Sequence, residues 1–159
     1  MNDSDDSTPL EAAGVVVAVC VSPGGVPKHL VDRAAVVGSG LIGDGHDHEK
    51  HCHPDRAVSI QDLELLDQLV AEGYPVGPGI LGENLTVKGV QVQRLTVGDR
   101  LYFEGGPILE LACVRKPCYV LDSIHPNLKE IVVGRCGYLC RVVKPGPLFA
   151  GQRVHVERC

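Results

Sequence analysis

Arg115-Lys116-Pro117-Cys118 sets a thiol two and three residues from two cations. Positive charge near a thiol favours the thiolate, the form that attacks electrophiles and binds soft metals. Pro117 has no backbone donor and ends the apolar run before it, so the thiol is expected to project from a loop. The alternative is a buried, inert cysteine, since cysteine is among the residue types most often buried. A second constellation, His46-Asp47-His48-Glu49-Lys50-His51-Cys52-His53, offers four imidazoles and a thiol. These suit zinc, nickel or copper, but the spacing matches no closed zinc pattern; one or two of these side chains bind a divalent ion, or the segment is simply a solvated loop. Gly82-Glu83-Asn84 combines a residue that lets backbone approach a ligand with a side-chain amide that both donates and accepts; it also reads as an Asx turn. Ser22-Pro23-Gly24-Gly25-Val26-Pro27-Lys28 offers free amides and a lysine to a phosphate, or is a plain turn. It is not a GxxxxGK[ST] loop, so nucleotide hydrolysis is not indicated.

The elements that must position these groups are mostly short strands. The 159 residues allow one domain with a real core, and the hydrophobic (44%) and charged (22%) fractions are those of a folded chain. Residues 14–21 form a continuous β-branched run, as in a buried strand, and 30–37 read as a second. Residues 38–56 lack periodicity and read as a long exposed loop. Leu63, Leu66, Leu69 and Val70 fall at helical spacing, with Ser59 as the expected cap and Gly73 as the stop. Further strands are expected at 85–87, 90–95, 100–103, 108–114, 138–143 and 153–156, and a short helix at 128–133. Such a series predicts a mainly β, barrel-like domain over 14–159, with one clear helix and short accessory helices, after an acidic tail at 1–13.

Charge and composition exclude some functions. A net charge of −5 disfavours nonspecific nucleic-acid binding, and no apolar stretch is long enough to span a membrane. The acidic N-terminus is unlike a secretory signal, so the cytoplasm is the expected compartment. Seven cysteines, an odd number, favour free thiols or ligands over a disulfide framework.

In chain order, VSPGGVPK (21–28), GLIGDGH (40–46), HPDRAVSI (53–60), GPGILGENLTV (77–87), LTVGDRL (95–101), RKPC (115–118), GRCGYLCRV (134–142) and GPLFAGQRVHV (146–156) resemble the MOSC domain, named for the C-terminal domain of molybdenum cofactor sulfurases. The likeness is to bacterial single-domain members, some of which act on N-hydroxylated bases; the eukaryotic amidoxime-reducing component is a more distant relative. The resemblance implies a β-barrel-like fold and a molybdenum cofactor, a pterin dithiolene with a terminal phosphate. It implies Cys118 as the molybdenum ligand, and Lys28, Arg56, Arg115 and Lys116 as cations for the cofactor's phosphate and pterin. Asn84 matches an asparagine that recurs at the start of the equivalent strand. Relatives commonly carry a glycine pair before the PDR segment, whereas here Cys52-His53 stands there, so the loop near Arg56 is expected to differ or to gain a ligand.

Two functions follow from the resemblance. One is a molybdenum-dependent oxidoreductase that reduces N-hydroxylated compounds, with a histidine of the 46–53 loop, His51, supplying a proton. No flavin, haem or iron–sulfur motif is visible, so an electron-donor protein is the implied partner. The other is a cofactor carrier or sulfur relay bearing a persulfide on Cys118. With no room for a desulfurase domain in these residues, that role implies a sulfur-donor protein. A separate reading from the residues alone is a zinc or nickel protein built on the histidine loop.

Overall fold

β-Branched runs punctuated by Gly and Pro do form strands. A computed structural model describes residues 11–45 and 53–159. Its strands are β1 (Glu11–Val21), β2 (His29–Val31), β3 (Arg33–Val37), β4 (Gly40–Leu41), β5 (Val58–Asp62), β6 (Leu85–Lys88), β7 (Arg100–Phe103), β8 (Ile108–Val114), β9 (Tyr138–Lys144), β10 (Gly146–Phe149) and β11 (Arg153–Glu157), with helices α1 (Leu63–Ala71) and α2 (Leu128–Ile131). Seven strands close in the order β11-β7-β8-β9-β5-β6-β1 and back to β11; β2 extends β1, and β10-β3-β4 make a small second sheet. The fold is the mainly β barrel expected.

Every pair in the barrel is antiparallel except β5 with β6, where Ile60 lies opposite Leu85 and Asp62 opposite Val87. A parallel pair cannot be joined by a hairpin and needs a crossover. Helix α1 supplies it, and so divides the interior in two. Val16, Ile60, Leu85, Leu101, Leu109 and Leu111 belong to the barrel core. Leu66 and Leu69 of α1 instead join Leu81, Leu121, Leu128 and Val132 in a second cluster outside it. That cluster holds α2 and the 3-10 turn Tyr119–Ser123 against the barrel.

Several sequence expectations change. Strand β1 begins at Glu11 rather than Gly14, because Glu11 and Ala12 pair with Val156 and His155 to close the barrel. The rest of the expected tail, residues 1–10, lies outside the described residues. The single strand expected at 30–37 is divided between β2 and β3, which belong to different sheets. Ser59 does not cap the helix; it lies inside β5, and Asp62 occupies the cap position. The Asp62 carboxylate turns away from its own helix to accept from Val92 N (2.8 Å) and Gln93 N (3.1 Å). Those amides are thereby withdrawn from any ladder, and the strand expected at 90–95 is a 3-10 turn over Val92–Arg94.

Gly137 is where β9 comes closest to β5. Its φ is +80°, and an added Cβ would lie 1.9 Å from the Ile60 carbonyl oxygen. Gly137→Ala therefore combines left-handed strain with a backbone clash. It should destabilise the fold by about 2–4 kcal/mol, read as a shift of the urea midpoint with the slope unchanged.

Candidate functional site

At the end of β8 the chain leaves the barrel wall, and the RKPC segment follows. The Arg115 amide still bonds to Gly137 O at 3.0 Å, so its side chain is directed by the sheet. The guanidinium turns inward, and Nη2 donates to Leu81 O. It passes over Gly82, whose φ is +94° and where a Cβ would lie 3.0 Å from Nη2 and 2.6 Å from Val26 Cγ1. Glycine is required there by both conformation and space. Lys116 points to solvent. Cys118, at the cap position of the turn Tyr119–Ser123, is an exposed free thiol, as the proline before it led us to expect.

Asp44 organises the opposite wall. Its Oδ1 accepts from Lys28 Nζ at 2.6 Å and from Ser22 N at 3.0 Å, and its Oδ2 accepts from Asn84 Nδ2 at 3.0 Å. Asn84 Nδ2 also donates to Cys20 O, and its Oδ1 accepts from Ser59 N and Ser59 Oγ. The Lys28 and Asp44 side chains are only 10% and 1% exposed. Lys28 and Asn84 therefore stand at the site with their polar groups already engaged; they tie the SPGG turn, the GLIGDG segment and β6 together. Asp44 lies inside GLIGDGH (40–46), where no spacing marks it as the residue that organises a wall.

These walls enclose a cavity of about 710 Å³ that reaches Lys28, Asn84, Arg56, Arg115, Lys116 and Cys118. Lys129 of α2, Tyr119 and Cys113 also line it, and sequence reasoning assigned none of the three. Lys129 is contiguous with RKPC in space only, so no spacing rule could find it. Among the described residues, five cationic residues and no carboxylate line the cavity, in a chain whose net charge is −5. Arg56 is held by the 3-10 turn Pro54–Arg56, which Asp55 anchors through Arg141 of β9 at 3.1 Å. His53 has an ordinary φ of −68° and accepts from Asp55 N through Nδ1, so it caps this turn. His46, His48, His51 and Cys52 lie outside the described residues. Among the described residues no three His, Cys, Asp or Glu are grouped to hold a metal ion.

Burial separates Cys118 from Cys20, Cys136 and Cys140. It pushes the Cys20 thiol up to about 11, aided by the nearby Glu83 carboxylate, and it raises Cys136 and Cys140 as well. These three are buried and free, which suits packing and not chemistry. Beneath the cavity Glu83 is 0% exposed and accepts from Gly79 N through Oε1, while Glu83 Oε2 and Arg115 Nη1 lack hydrogen-bond partners. Burial raises the Glu83 pKa, and the Arg115 charge opposes that rise.

Two outcomes test this electrostatic frame. Asp44→Ala leaves Lys28 without its carboxylate and frees two donors, and should cost about 2–3 kcal/mol in urea unfolding, somewhat below the value for a fully buried pair. For Glu83 the folded pKa lies above the unfolded value of 4.5. The unfolded chain therefore releases this proton first, and the contribution to stability falls as pH rises through 4.5 toward the folded value. Glu83→Gln should remove that fall, so its stability relative to the parent should improve from pH 4 to pH 7; a difference independent of pH would refute the assignment.

The comparisons with known proteins bear on the fold and the family. The profile of the MOSC domain matches residues 47–155. A Gibberella moniliformis protein named a reductase is 28% identical over 124 residues, 73% of this chain and 22% of its own length. YuaD of Bacillus subtilis, whose name refers to metal-sulfur cluster biosynthesis, is 27% identical over 116 residues, 64% of this chain and 60% of its own. The chain thus spans less than two thirds of the length of each of these relatives. The crystal structure of YuaD superposes with a TM-score of 0.72 at 22% identity, covering 94% of this chain and 96% of that one, a likeness of fold. YiiM from Escherichia coli gives 0.72 at 25% identity, over 92% of this chain and 70% of that one. No helix among the described residues is long and apolar enough to cross a membrane. With its barrel closed through a parallel β5–β6 pair and its profile match covering more than half of its length, this chain belongs to the MOSC domain family.

Proposed function

We propose that this chain binds a molybdenum cofactor in the cavity, with Cys118 as the metal's protein ligand, and reduces N-hydroxylated compounds. The observation that carries the reading is an exposed thiol on the wall of a cavity lined, among the described residues, by five cations and no carboxylate. The donor set fits the group. A thiolate suits a soft metal centre, and the cations suit a phosphate. When bound, the cofactor would supply a metal that changes oxidation state and accepts the oxygen of an N–OH group.

The protein's own part is binding and orientation. Arg56, Arg115 and Lys116 supply positive charge for the cofactor's anionic groups. Lys28 and Asn84 keep the facing wall in place through Asp44. The segment that carries His51 lies between Gly45 and Arg56, both of which line the cavity; His51 is the proposed proton donor, since imidazole changes charge near neutral pH. A partner protein delivers the electrons.

Protein purified from a molybdenum-replete host should carry molybdenum and pterin in stoichiometric amounts. It should also turn over an N-hydroxylated base with an artificial electron donor. Cys118→Ser should lower that turnover by more than the about 10–100-fold typical of losing an outer-shell partner, with no change in melting temperature because the side chain is exposed. Full molybdenum content and full activity in Cys118→Ser would sink the ligand assignment. Stoichiometric cofactor without turnover would assign the carrier role instead.

A further inference from the structure

Four of the five cations of the cavity fall into two groups. Those deep in the wall are committed within the protein: Lys28 to Asp44 and Arg115 to Leu81 O. Lys116 and Lys129 are exposed and have no ion-pair partner among the described residues. The same cavity is lined by three exposed apolar side chains. Tyr119 is 76% exposed, Val114 47% and Val120 38%, and the Tyr119 side chain has neither a ring partner nor a hydrogen bond. Scattered apolar residues on a surface need no explanation, but these three line one cavity beside an exposed thiol.

This rim is also held in place. Tyr119 opens the turn that follows Cys118, and Leu121 from that turn packs with Leu128 of α2 in the second core. Asp122 Oδ1 accepts from the backbone N of Lys129 at 3.0 Å. The aromatic ring and the ammonium group are thus carried by two short elements locked to each other. An aromatic face attracts flat rings with little regard to their substitution, whereas an unpaired ammonium selects for negative charge.

We infer that this rim is a substrate subsite for molecules that join a flat aromatic ring to an anionic arm, the ring lying on Tyr119 and the arm reaching Lys129. The inference rests on the reading above, because the substrate must be presented beside Cys118. It adds a substrate class, charged aromatic compounds such as nucleoside monophosphates over neutral bases, and two specificity-determining residues.

Calorimetric titration of the full-length chain with adenosine 5′-monophosphate, adenosine and inorganic phosphate tests it. The monophosphate should bind tightest. Lys129→Ala should weaken it about tenfold and leave adenosine unchanged. Tyr119→Ala should weaken monophosphate and adenosine alike by about tenfold and leave phosphate unchanged. Tyr119→Phe and Lys129→Arg should bind like the parent, and both side chains are exposed, so folding is retained. Phosphate binding as tightly as the monophosphate, or Lys129→Ala without effect, overturns the inference. The same titration on Cys118→Ser should be unchanged. A positive titration with no molybdenum-dependent turnover therefore removes the functional reading alone, and turnover without this binding pattern removes the subsite alone.

Discussion

Closure of the barrel is the constraint on which the remaining structure depends. A sheet that returns to its first strand leaves no ladder edge to aggregate, but it must place each strand at a fixed position in the ring. Strand β1 bears most of that demand. It pairs with β11 through Glu11–Val15, with β6 through Val15–Val19 and with β2 through Val19–Val21, shifting register twice along its length. The one parallel pair, β5 with β6, then requires a long connection. The α1 crossover and the loop after it bring Leu81, Gly82, Glu83 and Asn84 to the base of the cavity.

The site is an electrostatic exception within an acidic chain. Five cations face one cavity, while nearby carboxylates among the described residues are engaged with other partners. Glu110 pairs with Arg100 and Arg141, and Asp55 pairs with Arg141. Asp44 is consumed by Lys28, Ser22 and Asn84. A focused positive potential in a partly enclosed space raises the local concentration of anions. That holds whichever anionic group the cavity takes.

The strands were legible where a run of β-branched or alternating residues was bounded by turn signals: β7 and β8 have the bounds expected, and β9 and β11 differ by a residue. The failures share one cause. Residues 90–95 have strand composition, but a carboxylate from another element takes two of their amides. Ser59 has the chemistry of a helix cap, but its hydroxyl and amide bond to Asn84 across 25 positions of sequence. Local propensity is a prior, and long-range hydrogen bonds outweigh it. Glu83 and Asp44 escaped notice as site organisers because nothing in their neighbours tells whether a carboxylate is buried.

The sequence by itself determined the strand-rich architecture and the family to which its motifs belong; it left Cys118 open between an exposed and a buried thiol. These follow from near neighbours, because periodicity, turn chemistry and a proline's missing donor act over a few residues. Only the tertiary structure decided which cations remain uncommitted, which thiols are sealed in, and that Lys129 and Tyr119 share a cavity with Cys118. Burial and charge pairing are properties of the space around a side chain, and that space is filled by residues distant in the chain.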